Sequence, residues 1–143
     1  MNVQAIMFDS DGTLIDTTKL ITEGFKQVLI DFNYTELATD EIIKQHIGGH
    51  IPDVFSGLVG EDSSSDAVGK MTAHLDEVQN LLAPTTIASY PGELEMLLEL
   101  KAKGIKVGLF TSGTVLQGKR NFNAVGIDYV QIFDAVVTYE DGL

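Results

Sequence analysis

Met7-Phe8-Asp9-Ser10-Asp11-Gly12-Thr13-Leu14 follows directly on an apolar run that begins at Val3, and it ends that run on two acids flanking one small residue. Ile6 and Phe8 are good strand formers, Gly12 permits a tight exit, and Thr13 offers a hydroxyl just after the turn. The stretch reads as a strand, Val3 to Phe8, that carries carboxylates to its own tip. In a parallel sheet the carboxyl ends of the strands face the ligand crevice, which places Asp9 and Asp11 where substrates bind. Carboxylates held that close repel unless a cation, a proton or a hydrogen-bond donor lies between them, and Mg²⁺ suits an all-oxygen site. The same residue types also make an ordinary polar turn after a strand, so at this level both readings stay open.

Outward from that turn, Leu20, Ile21, Phe25, Val28, Leu29 and Phe32 recur at helical spacing. A further helix is predicted from Thr39, with Asp40 and Glu41 favourably placed in its first turn. Gly48-Gly49-His50-Ile51-Pro52 breaks the pattern, a short helix follows through Val54, Phe55 and Leu58, and Gly60 to Ser65 is a loop whose last serine can cap a helix. Ala67, Val68, Met71, Leu75, Val78 and Leu82 form the next apolar stripe. Residues 17–86 therefore read as an all-helical insertion.

After Tyr90-Pro91-Gly92 a helix bears Leu94, Leu97, Leu98 and Leu100, and Gly104 ends it. Lys106 to Phe110 is a second buried strand that runs into Thr111-Ser112-Gly113-Thr114, ahead of a helix starting near Val115. A hydroxyl with free backbone N–H groups at a helix start is a cradle for phosphate oxygens. Phe133 to Thr138 reads as a third strand. His46 and His74 fall in predicted helices, without any spacing that suggests Zn²⁺.

The chain has 143 residues, a formal net charge of −12, nine Lys and Arg, and no Cys. Scattered cations argue against nucleic acid. No cysteine means no disulfide, thiolate site or cysteine nucleophile. With neither a leader-like segment nor an apolar run of membrane-spanning length, the expected setting is cytoplasmic, with no membrane partner.

Asp9-Ser10-Asp11-Gly12-Thr13-Leu14 resembles the first motif, D-x-D-G-T-L, of the haloacid dehalogenase-like hydrolases, and the strand ending in Thr111 resembles their second. The resemblance implies an α/β fold: a parallel-sheet Rossmann-like core, here its front half of about three strands (1–16 and 87–143), and an all-helical cap (17–86) inserted after the first strand. It implies a phosphatase or phosphomutase acting on a small phosphorylated metabolite. Asp9 would be the nucleophile that forms an aspartyl-phosphate, Asp11 the acid and base, and both would hold Mg²⁺. Thr111, Ser112 and Gly12 would bind phosphate, and His50 would reach the substrate from the cap. Asp11 favours phosphate chemistry over carbon-halogen cleavage, which needs no proton donor there. A receiver-like phospho-acceptor domain is the weaker reading, because no second acidic strand tip is visible.

The chain departs from the family pattern after its third strand, where a Lys and then a fourth strand ending in acids would follow. Lys119 lies in the wrong helix to replace that Lys, and Asp141 comes too early to be the missing acid. The expectation is therefore a truncated chain with little activity, or alternatively a non-catalytic fragment or pseudo-enzyme that acts as a binding or dimerising module. In the implied strand order the absent strand would cover the Asp9 strand, leaving an edge through which a homo-oligomer could form.

Overall fold

The computed structural model describes residues 3–142. Along the chain run β1 (Ala5–Asp9), β2 (Ile15–Asp16), α1 (Thr18–Asp31), α2 (Asp40–His46), α3 (Ile51–Val59), α4 (Asp66–Thr86), β3 (Ala88–Ser89), α5 (Glu93–Ala102), β4 (Lys106–Phe110), α6 (Val115–Ala124), α7 (Tyr129–Ile132) and β5 (Ala135–Val137). The chain divides into two compact units. One comprises the residues up to Thr18 and from Ala83 onward, and the other is Lys19–Leu82.

The first unit is built on a parallel sheet in the order β1-β4-β5. Val107, Gly108 and Leu109 are buried, as a strand flanked on both sides must be, and Leu14, Ile15, Leu97, Phe122 and Ile127 complete the core around them. Phe122, Tyr129 and Phe133 pack as an aromatic trio with ring centroids 5.0–5.8 Å apart. Among the described residues β1 forms an edge, and Met7 on it is 52% exposed.

Four details differ from the sequence reading. The first strand is Ala5–Asp9 rather than Val3 to Phe8, so Asp9 still belongs to the ladder and pairs with Phe110. The third strand is only Ala135–Val137. Phe133 is drawn into the aromatic trio, and Asp134 joins the sheet differently: its N–H donates to the Val107 carbonyl at 2.7 Å while its carboxylate accepts the Val107 N–H at 2.9 Å. That hydrogen bond, with Lys101 and Lys106 beside it, holds the Asp134 carboxyl down at about 2. The short α7, capped by the Asp128 carboxylate on the Val130 and Gln131 N–H groups, and the two-residue pairing of β2 with β3 were not foreseen.

The second unit is helical and has its own core of Phe25, Val28, Leu29, Ile43, Val54, Phe55, Leu58, Val68, Met71, Leu75 and Val78. Thr39 caps α2 by accepting the Ile42 N–H, Ser65 accepts the Val68 N–H at the start of α4, and Pro52 sits in the first turn of α3. Gly24 lets α1 approach α4 closely, since a Cβ there would meet Leu75 and Gln79 at 3.1 Å. His74 bridges Asp31 (2.8 Å) and Glu77 (3.2 Å), which raises its pKa. No helix among the described residues is long and apolar enough to cross a membrane.

Glu93 is the anomaly of the first unit. It opens α5 one turn before the core residue Leu97, is only 5% exposed, and has no hydrogen-bond partner on either carboxylate oxygen. Burial pushes its pKa up to about 7. A carboxyl whose pKa is higher folded than unfolded binds its proton more tightly in the native state. Its stabilising contribution is therefore fullest below about 4.5 and is lost as pH rises through about 7. Glu93→Leu should raise the melting temperature much more at pH 8 than at pH 4, in thermal unfolding followed by circular dichroism. Equal shifts at both pH values would show that Glu93 is not charged at a cost in the folded protein.

Candidate active site

The site grows out of the level ends of the three strands. Asp9 pairs with Phe110 and Phe110 with Val137, so the next residue of β4's chain, Thr111, emerges beside Asp9. Thr111 is tied to β5 as well, through its N–H to the Val137 carbonyl at 3.0 Å.

Beyond Asp9 the chain turns sharply. The Ser10 carbonyl accepts N–H groups from Thr13, Leu14 and Ile15 at 3.2, 2.9 and 3.3 Å, and Gly12, at φ +77°, donates to the Ile15 carbonyl at 2.8 Å. Gly12's N–H is thus spent on the turn itself. Leu14 and Ile15 plunge into the core and Ile15 pairs with Ser89, so the acidic loop is anchored by buried apolar side chains. Buried Thr17 donates its hydroxyl to Asp11 Oδ1 at 2.8 Å, and Thr13 Oγ1 lies 3.5 Å from Asp9 Oδ2.

The Asp11 carboxyl is pushed above the usual carboxylate range, mainly by burial and further by the charge of Asp9. The Thr17 hydroxyl and the Arg120 guanidinium oppose that shift. A raised pKa beside a second carboxylate is the condition in which one acid keeps a proton while the other stays ionised. Arg120, on α6, is the cation whose field reaches Asp11, and the sequence reading missed it for its neighbour. Lys119 instead lines a groove of about 480 Å³ with Asn123, Gly126 and residues 127–130. Helical spacing around Phe122 and Gly118, both buried, was the available signal for the different directions of these two cations.

Thr111 is buried, and its Oγ1 accepts the Gly113 N–H at 3.1 Å, leaving the hydroxyl hydrogen to donate elsewhere. Ser112 is exposed, and its N–H takes no acceptor among the described residues. The start of α6 is not the open cradle expected. Thr114 and Gln117 close a reciprocal capping box, and the Val115 N–H donates to Glu140 Oε2 at 3.0 Å. Asp141 accepts from the N–H and hydroxyl of Thr138, so it closes its own loop. His50 precedes the first turn of α3, with its ring 3.8 Å from Asp53.

Among the described residues no group of three or more His, Cys, Asp or Glu could hold a metal ion. Asp9 and Asp11 nevertheless supply hard oxygen donors of the kind Mg²⁺ takes, and Mg²⁺ commonly keeps water on its other positions. The pair therefore fits one Mg²⁺ with few protein ligands.

A parallel α/β sheet with paired acids at one strand tip and a hydroxyl turn at the next defines a Rossmann-like core. A sequence profile described as haloacid dehalogenase-like hydrolase matches residues 6–142, and the chain belongs to that family. It is 30% identical to a glyceraldehyde 3-phosphate phosphatase of Methanocaldococcus jannaschii, covering 97% of this chain and 63% of the relative. It is 29% identical to the pyrophosphatase PpaX of Bacillus pumilus, covering 97% and 61%. The fold superposes on CbbY from Rhodobacter sphaeroides, solved in complex with phosphate, with a TM-score of 0.78 at 19% identity over 96% of this chain and 64% of that one. The chain thus spans about three fifths of the length of these relatives.

The opposing influences on Asp11 can be separated. Thr17→Val should raise the Asp11 pKa further, and Asp9→Asn should lower it, both read from side-chain carboxyl resonances in an NMR pH titration. A pKa unmoved by either substitution would contradict the described electrostatics.

Proposed function

We propose that this chain carries the phosphoryl-acceptor part of a Mg²⁺-dependent phosphatase for small phosphorylated metabolites, working through an aspartyl-phosphate. The observation that carries the reading is the register: Asp9 pairs with Phe110, so an acid that remains in the ladder stands next to the buried hydroxyl of Thr111.

Asp9 is the nucleophile in this reading, because the strand fixes its backbone and its carboxylate is exposed. Thr111's hydroxyl and the Ser112 N–H hold phosphate oxygens from the far side, orienting phosphorus toward Asp9. Asp11, its pKa raised by burial, keeps a proton for part of the time and donates it to the leaving oxygen. Deprotonated, the same carboxylate then takes a proton from the water that opens the acyl-phosphate. Thr17 holds the Asp11 carboxyl in one orientation through both stages. The Asp9 carboxylate and the Asp11 backbone carbonyl would hold Mg²⁺, which when bound supplies positive charge to the transferring group. That help matters for a chain with net charge −12, whose own field repels anions. The relatives' names are consistent with small phosphorylated substrates.

Asp9→Asn should abolish Mg²⁺-dependent hydrolysis of a panel of small phosphate esters while leaving the melting temperature nearly unchanged. Comparable turnover in the variant and the parent would remove Asp9 from the chemistry.

A further inference from the structure

The loop that follows β5 is fastened to the hydroxyl turn at both ends of the turn's last residues. The Tyr139 N–H donates to the Gly113 carbonyl at 3.1 Å, and Glu140 Oε2 accepts the Val115 N–H at 3.0 Å. The loop itself is closed, since Asp141 accepts from both the N–H and the hydroxyl of Thr138, a residue 1% exposed. Gly113, caught between these two attachments, donates its own N–H to Thr111 Oγ1. A chain of hydrogen bonds therefore runs from the loop after β5 to the Thr111 hydroxyl.

We propose that Glu140 is a positioning residue for phosphate: by accepting the Val115 N–H it holds the Thr111–Val115 turn in the shape that presents the Thr111 hydroxyl and the Ser112 N–H together. This rests on the phosphatase reading above. A carboxylate is well suited to the task, because a charged acceptor at a helix N-terminus makes a stronger hydrogen bond than a neutral one and is favoured by the helix dipole. Its charge also repels an incoming anion. The charge thus strengthens the clamp but works against the anion, whereas the acceptor geometry only helps, and the two properties can be taken apart by substitution.

Glu140→Gln keeps an acceptor at the same reach and removes the charge. Glu140→Ala removes both, and Glu140→Asp keeps the charge but falls short of Val115. The experiment titrates inorganic phosphate into the whole chain and follows the amide resonances of Ser112 and Gly113 by NMR, with the Val115 amide as a monitor of the clamp. Glu140→Gln should bind phosphate as tightly as the parent or somewhat tighter. Glu140→Ala and Glu140→Asp should each bind about fivefold more weakly, the equivalent of one lost hydrogen bond. If Glu140→Ala does not fold, Glu140→Asp carries the same comparison. Unchanged or tighter binding in the Ala or Asp variant would overturn the proposal and leave the phosphatase reading intact. Absence of any phosphate response at Ser112 and Gly113 in the parent would overturn both.

Discussion

Two carboxylates on one side of a strand tip cannot both be ionised at close range without something to neutralise them, and the surrounding structure is arranged around that constraint. Asp9 is left exposed. Asp11, solvent-accessible as well, is tied to Thr17 and lies within the field of Arg120. Asp11 thus holds a proton more tightly than an ordinary carboxyl does. An uncomplexed pair would be a stability cost at neutral pH, and the fold meets it locally through a hydroxyl donor and a guanidinium rather than by burying both acids.

That arrangement needs a rigid loop, and the rigidity comes from apolar anchors rather than from the polar residues themselves. Leu14 and Ile15 are almost completely buried immediately after the acids, and three N–H groups converge on the Ser10 carbonyl. The sheet then sets the distance between Asp9 and the hydroxyl turn through its register. The turn after β4 is held in its own right by Val137 and by the loop that carries Glu140. The helical unit keeps a separate core, so its packing does not depend on the strands.

Much of this was legible in the amino-acid order because local patterns and tertiary demands agree there. The apolar run ending on Asp9, the stripe from Val68 to Leu82, the helix start at Thr39 and the cap at Ser65 are each read by a short-range rule that the fold obeys. What escaped depends on contacts far apart in sequence. The Asp134 carboxylate substitutes for a backbone acceptor at Val107, and this shortens β5 in a way no periodicity reveals. The start of α6 looked open because its hydroxyl cluster was read as a cradle with free N–H groups, whereas Glu140 arrives from 25 residues away. Lys119 attracted attention because the family pattern calls for a Lys, whereas it is the charge of Arg120 that reaches Asp11. Glu93 broke the apolar pattern at the head of α5, but its burial follows from its place one turn before Leu97.

In the proposed reaction the carboxylate of Asp9 receives the phosphoryl group. The most direct measurement is to incubate the chain with Mg²⁺ and a small reactive acyl phosphate, reduce any protein acyl-phosphate with borohydride, and locate the product by peptide mass spectrometry. The account predicts homoserine at position 9 and unmodified aspartate at position 11. Homoserine at position 11, or at another acid with position 9 untouched, would contradict it.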